Sequence, residues 1–319
     1  MRHISLTKIA DNLSDKQHQE TFTQISEQGI DGIEISGFGG RWGPTWDENK
    51  NYNLNFLKFY KGIKALRIQL SSTIDLNPII QLADSLECIH IGERSNKKTG
   101  FSFLEQLRNL KSISTVRHIN GLNGITTLRD LKELYLTGYS VDKMDFLNEL
   151  KTLKRLYIGF GTSDHIDTIN RLDNLEELDI LWIKKLSNID AISNLLKIQK
   201  LKIQDEKQIV ALPDFSNLKN FKNIRLMNLG SLGDISSLTN SYIEEFIWTG
   251  PNKNSEILNS IKNSKNPKKV YSFFYTKKEQ KKAERILIDK FCSLDKMKYE
   301  MVNAASEQYY NLTTGQKIL

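Results

Sequence analysis

The chain has 319 residues, 39% hydrophobic content and a formal charge of +7, from 45 Lys+Arg against 38 Asp+Glu. That length admits two ordinary domains or one elongated repeat array, and the low apolar share suits an array in which each repeat buries a single stripe. Two distant cysteines exclude a disulfide framework, and no stretch approaches the roughly 18 apolar residues that span a bilayer.

The start of the chain, Met1–Ala10, has no apolar run of signal-peptide length. It reads as a soluble, cytoplasmic protein, although a chain trimmed of its export signal would read the same. Met1–Gly29 is expected to form an N-terminal cap. Ile4 and Leu6 alternate as in a short strand. Ser14 and Gln17 make a capping box ahead of a helix striped by Phe22 and Ile25, and Gly29 supplies a left-handed stop. A strand with Ile33 and Ile35 pointing inward follows. An insertion near 38–55 then carries Trp42 and Trp46 in a Gly/Pro-rich loop. Those two rings suit either a lid over a binding face or, as slightly favoured, a cover for the core.

From there one phrase repeats. In Leu128–Leu136 apolar residues fall at Leu128, Leu131, Leu134 and Leu136, so the spacing changes from three to two. That change marks a 3₁₀ or helical segment running into a strand. The first strand leucines recur at Leu66, Ile89, Ile113, Leu134, Leu156, Leu178, Leu201, Ile224 and Phe246, with steps of 21 to 24 residues. Thr115 replaces the second apolar residue in one turn. Between strands, phrases such as Leu186–Leu195 keep a spacing of three, which predicts 3₁₀ or single-turn helix rather than long crossover helices.

These residues resemble the leucine-rich repeat family, nearest to the 22-residue class of bacterial internalins and of a phosphatase-1 regulatory subunit. The pattern LxxLxLxxN is met at Leu131, Leu134 and Leu136, and again at Leu153, Leu156 and Ile158. The likeness covers about residues 30–250, in about ten turns. It implies an α/β solenoid, with a curved parallel β-sheet on the concave face, short 3₁₀ segments on the convex face and α/β caps at both ends. It also implies protein binding on the concave sheet and no chemistry. One departure stands out. The Asn that ends the family's pattern is missing, its place held by Tyr139, Gly161, Ile183, Glu206 and Leu229 among others. Backbone groups there are expected to find other partners, in an irregular solenoid.

Strand parity nominates the binding residues. Tyr135, Tyr157, Asp179, Lys202 and Arg225 lie between core positions and therefore face outward. With Tyr139, Phe160, Leu181 and Trp182 they are expected to form an aromatic patch rimmed by mixed charge, as in protein-binding interfaces. For Phe160 and Trp182 the alternative is that they fold onto the core edge in place of the missing Asn. The expected partner is another protein, bound by a monomeric, non-enzymatic adaptor or inhibitor.

Chemistry finds little support. Cys88 and His90 share a strand face but lack the further ligands that zinc needs. Asp164, His165 and Asp167 read as ordinary surface. No phosphate loop or hydrolase motif occurs, and neither a cofactor nor a metal is expected.

Residues 251–319 are expected as a C-terminal α/β cap: a strand at Val270–Tyr275, a basic helix N-capped by Thr276 with Glu279 completing a capping box, a strand at Met297–Met301, and a loose tail after Ala305. Residues 1–250 carry 31 basic and 31 acidic side chains, whereas 251–319 carry 14 and 7, so the whole positive excess lies in this cap. A basic end attracts nucleic acid or acidic membrane, and this is the second functional reading. Without interleaved aromatics it reads instead as a solvated helix face. Cys292 is expected to pack beside the helix residues Ile286 and Phe291.

Overall fold

The repeat leucines pair across strands in the order the sequence sets out. The computed structural model describes residues 4–9, 13–36, 53–69, 75–92, 100–117, 121–250, 254–291 and 312–314. Trp42, Trp46, Cys292 and the expected strand at Met297–Met301 lie outside the described residues. The chain forms two units, residues 1–135 with 304–319 and residues 136–303.

The first unit begins with β1 (Ile4–Lys8), α1 (Asp15–Glu27) and β2 (Gly32–Ser36), and continues through β3 (Ala65–Gln69), β4 (Cys88–Ile91) and β5 (Ser112–Val116). Ser14 caps α1 with both halves of its capping box present, and Gly29 takes φ +66 at the stop. His18 of α1 stacks on Phe56, with ring centroids 4.6 Å apart, and its Nδ1 lies 2.9 Å from the Tyr60 hydroxyl. In register, Ile33, Leu66, Ile89 and Ile113 form one buried row. Short 3₁₀ segments, Leu54–Phe59, Asn77–Leu82, Ser102–Gln106 and Leu122–Thr127, lie between and after these strands. They carry the spacing-of-three residues into the core, among them Leu57, Leu82, Leu104 and Ile125.

β1 departs from the repeats. Leu6 pairs with Gly32, the position before the core residue, so Ile4 and Leu6 lie on the opposite sheet face from Ile33. There they pack with Ala65 and Cys88. A Cβ at Gly32 would overlap the Ala65 backbone carbonyl oxygen and stand 2.7 Å from Leu6 Cδ2, which explains the glycine. The expected C-terminal cap is also divided. Leu312–Thr314, expected within a loose tail, forms a strand parallel to β1, and residues 304–319 belong to the first unit.

β6 (Glu133–Thr137) spans the boundary at Tyr135. The second unit holds β7 (Arg155–Gly159), β8 (Glu177–Leu181), β9 (Lys200–Gln204), β10 (Asn223–Met227) and β11 (Glu245–Gly250). Then come α2 (Asn259–Lys262), β12 (Lys269–Phe274) and α3 (Lys277–Ile286). β7 to β12 form one parallel ladder, with Leu156, Leu178, Leu201, Ile224, Phe246 and Val270 in a buried row. Parallel strands 22 to 24 residues apart leave room only for brief returns, and several of these are again 3₁₀ segments, such as Asp190–Asn194 and Ser236–Leu238.

Thr276 caps α3 as expected, accepting from the Glu279 amide. The Glu279 carboxylate does not turn back to close the box. It accepts instead from the Ser255 amide at 2.9 Å and the Ser255 hydroxyl at 2.7 Å, tying α3 to the segment before α2.

Candidate partner-binding face

The missing Asn is compensated by the backbone. At the residue after each of β6 to β10 the chain takes a left-handed conformation: Gly138 (φ +80), Phe160 (+56), Trp182 (+48), Asp205 (+60) and Asn228 (+56). Each donates its amide to a carbonyl at the end of the following strand. Phe160 N bonds Leu181 O at 2.8 Å, Trp182 N bonds Gln204 O at 3.0 Å and Asp205 N bonds Met227 O at 2.9 Å. The next position then turns inward, and Tyr139, Gly161, Ile183, Glu206 and Leu229 are all buried. At one of these turns an acid does the work of the absent amide: Glu206 Oε1 accepts the Ile183 amide at 2.6 Å.

This bend decides which aromatics reach solvent. Phe160 is 43% exposed and Trp182 59% exposed, so neither folds onto the core edge. Their rings meet edge to face at 5.6 Å between centroids. Aromatic side chains in the left-handed region cost on the order of 1–3 kcal/mol each, yet two adjacent turns use them.

Tyr135 and Tyr139 correct the sequence reading, which placed both in the exposed patch. Tyr139 occupies the inward position of its turn and is buried. Tyr135 faces outward by parity but is only 8% exposed, its hydroxyl donating to Glu133 Oε2 at 3.4 Å. Tyr157 is half-buried and lies along its own strand, over the next outward position. That position is Gly159, where a Cβ would stand 2.5 Å from the Tyr157 hydroxyl oxygen. Leu181 is half-buried at the end of β8.

The charged residues form cross-strand rows. Arg155 Nε lies 3.2 Å from Glu177 Oε2, and Lys200 Nζ lies 3.2 Å from Glu177 Oε1. One position on, Asp179, Lys202 and Arg225 stand in register across β8, β9 and β10. Burial pulls the Lys202 ammonium below the usual lysine range. Asp179 and Asp205 act against that shift, while Arg225 reinforces it.

Several residues of this face were not singled out by sequence reasoning. Phe273 and Tyr275 are exposed and meet at 6.0 Å. The Tyr275 hydroxyl donates to Asn228 Oδ1 at 2.7 Å, and Asn228 Nδ2 donates to Asp205 Oδ1 at 2.8 Å. Glu206 is 1% exposed, and its carboxyl is pushed up to about 7, first by burial and then by Asp205, against the stabilising Ile183 amide. Its only sequence signal was a carboxylate at a position where the neighbouring turns place Tyr139, Gly161, Ile183 and Leu229.

In the first unit, the outward row carries Glu34, Arg67, His90 and Ser114. Arg67 lies 3.7 Å from Glu34, and His90 Nδ1 lies 2.9 Å from the Ser114 hydroxyl. Burial, reinforced by Arg67, pushes the His90 imidazole down to about 4. Cys88, on the same side of β4, is a free buried thiol, pushed up to about 12 chiefly by burial. A neutral imidazole beside a protonated thiol does not make an activated nucleophile. His165 pairs with Asp164 and Asp167 at 3.7 and 3.4 Å on the surface. Among the described residues no cluster of three metal-ligating side chains occurs, and no helix is long and apolar enough to cross a membrane.

With this geometry in place, the fold is that of a leucine-rich repeat solenoid, a parallel ladder returned by short 3₁₀ segments. Two known structures agree. The chain is similar to an internalin from Listeria monocytogenes (TM-score 0.54, 14% identity, covering 80% of this chain and 72% of that one). It is also similar to a chain of the Toll–Spätzle complex from Drosophila (TM-score 0.53, 13% identity, 86% and 45%). It spans less than half the length of that chain. A leucine-rich repeat protein of Leptospira interrogans aligns with TM-score 0.46 at 16% identity, over 88% and 81%. No family model and no curated protein matches the sequence.

Proposed function

We propose that the open sheet face of the second unit binds a partner protein, and that the chain works as a non-enzymatic adaptor or inhibitor. The observation that carries this reading is the pair Phe160 and Trp182. Two large rings are held out to solvent on backbone conformations that disfavour them, and exposed aromatic clusters are the usual anchors of protein interfaces. The half-buried Tyr157 and Leu181 adjoin them, and the cross-strand rows from Arg155 to Arg225 form the mixed-charge surround that such interfaces carry. A solved complex of the same fold, Toll with Spätzle, is consistent with this use.

The test is capture of partners from extract of the source cells by wild type and by the Phe160→Ala, Trp182→Ala double variant, at low and high salt. The reading expects a partner that only wild type retains and whose retention changes little with salt. Equal retention by both proteins overturns it. Retention that collapses with salt transfers the function to the basic C-terminal segment.

A further inference from the structure

Two cations on the open face of the second unit stand side by side without an oxygen partner. Lys202 and Arg225 are in register on β9 and β10, and both are half-buried. Among the described residues neither is in a salt bridge or a hydrogen bond. Carboxylates nearby are engaged elsewhere. Glu177 is shared by Arg155 and Lys200, each at 3.2 Å. The two Asp205 oxygens accept from amides, Oδ2 from Gln204 at 3.0 Å and Oδ1 from Asn228 at 2.8 Å.

Like charges opposite each other on neighbouring strands destabilise a sheet, and partial burial weakens the screening that water and salt provide. Burial lowers the Lys202 ammonium and the Arg225 charge adds to that, against the pull of Asp179 and Asp205. A neutral residue at either position would remove the repulsion. The next row of the same sheet pairs its charges through Glu177, so the unpaired cations are a local departure of the kind that functional sites retain.

We propose that Lys202 and Arg225 together receive one carboxylate, carried by an acidic side chain of the partner protein. A guanidinium offers a planar fork that matches the two oxygens of a carboxylate, and an ammonium beside it adds a second charge. The surroundings select a single negative charge. Asp179 lies next to Lys202 in the same row, and Asp205 stands just past the end of β9. A nucleic-acid backbone laid across the strands would meet those acids, whereas one carboxylate need not. On the other side of Arg225 the row continues to Ile247, which is buried and carries no charge. From strand rise and spacing, Trp182 stands about 11 Å from Lys202 and about 14 Å from Arg225 between Cα positions. Three or four residues of extended chain cover that distance. The proposal rests on the reading that Phe160 and Trp182 belong to a protein-binding face, and it names the chemistry of a residue that face selects near them.

The experiment is an NMR titration of the full chain, following the Arg225 Nε–H and the Lys202 ε-methylene signals. The probe is N-acetyl-glutamate α-amide, which carries one side-chain carboxylate. The glutamine analogue, inorganic phosphate and a single-stranded oligothymidylate are the comparisons. The expected result is a saturable shift at both cations with the glutamate probe and none with its neutral analogue. Affinity should fall at least tenfold in Lys202→Met, read at Arg225, and in Arg225→Gln, read at Lys202. It should fall several-fold in Arg225→Lys, which keeps the charge and loses the fork. Both neutral variants are expected to melt at or above the wild-type temperature, because each removes the repulsion. The proposal is overturned by no saturable glutamate response, by an equal response to glutamine, or by affinity unchanged in both neutral variants. Tighter binding of phosphate or oligothymidylate at these two residues overturns it as well, and so does a marked loss of melting temperature in both neutral variants. The two readings fail separately. No glutamate response in the wild type, with capture still dependent on Phe160 and Trp182, ends the carboxylate site alone. A glutamate response with capture independent of those rings ends the aromatic anchor alone.

Discussion

Phe160 and Trp182 touch edge to face at 5.6 Å, and each ring stands on a residue with positive φ. Strain and display share the same backbone positions. Glycine relieves that strain but removes the contact. Phe160→Gly and Trp182→Gly are therefore expected to leave urea-unfolding stability unchanged, or to raise it by up to about 1 kcal/mol, while partner binding falls at least tenfold. Large destabilisation of either variant would show that the rings are structural.

Glu206 links stability to pH. Burial pushes its folded-state carboxyl up to about 7, above the usual 4.5 of a glutamate. Between those values the folded chain holds a proton that the unfolded chain has lost, so stability falls as pH rises through that window and levels off above it. Glu206→Gln keeps an acceptor for the Ile183 amide and removes the penalty. Its stability relative to wild type is expected to grow by about 2 kcal/mol from pH 4.5 to pH 7.5, read from urea midpoints across that range.

His90 has the opposite sign. Its imidazole is pushed down to about 4, so between the usual 6.5 and 4 the unfolded chain takes up the proton first. Stability from this group is complete above pH 6.5 and is lost as pH falls toward 4. His90→Gln is expected to flatten that acid slope by about 2 kcal/mol, measured by denaturant unfolding from pH 7 to pH 4.

Two glycines on neighbouring outward and inward positions should respond differently. In Gly159→Ala the added methyl meets the far end of the Tyr157 side chain, which swings aside, at a cost under about 1 kcal/mol. In Gly161→Ala it overlaps the Tyr139 carbonyl oxygen, which the ladder holds through the Thr162 amide. That should cost about 3 kcal/mol or more. Thermal melts of the two variants check the contrast, and NMR of the Tyr157 ring checks the first.

The parity of each strand was legible because alternation is a property of neighbouring residues alone. Ile33, Leu66, Leu156 and Leu201 lie where that rule puts them, and so do the short 3₁₀ returns that the spacing of three predicts. The strand ends were less legible. Tyr139 and Phe160 look alike in sequence, each an aromatic just past a strand, yet one is buried and the other displayed. The difference is a single step along the left-handed bend, and the amide bonds to the next strand set that bend.

By itself, then, the sequence determined the repeat, its period, the buried rows and the 3₁₀ returns, because each depends on apolar spacing within one turn. Tertiary structure alone decided the face that matters. The left-handed ladder turned Trp182 out and Glu206 in, and it brought Asp205 and Asn228 into contact across 23 residues of chain. It also set β1 against Gly32 and brought Leu312–Thr314 to its edge. These are pairings between distant segments, fixed by backbone hydrogen bonds that no local pattern encodes.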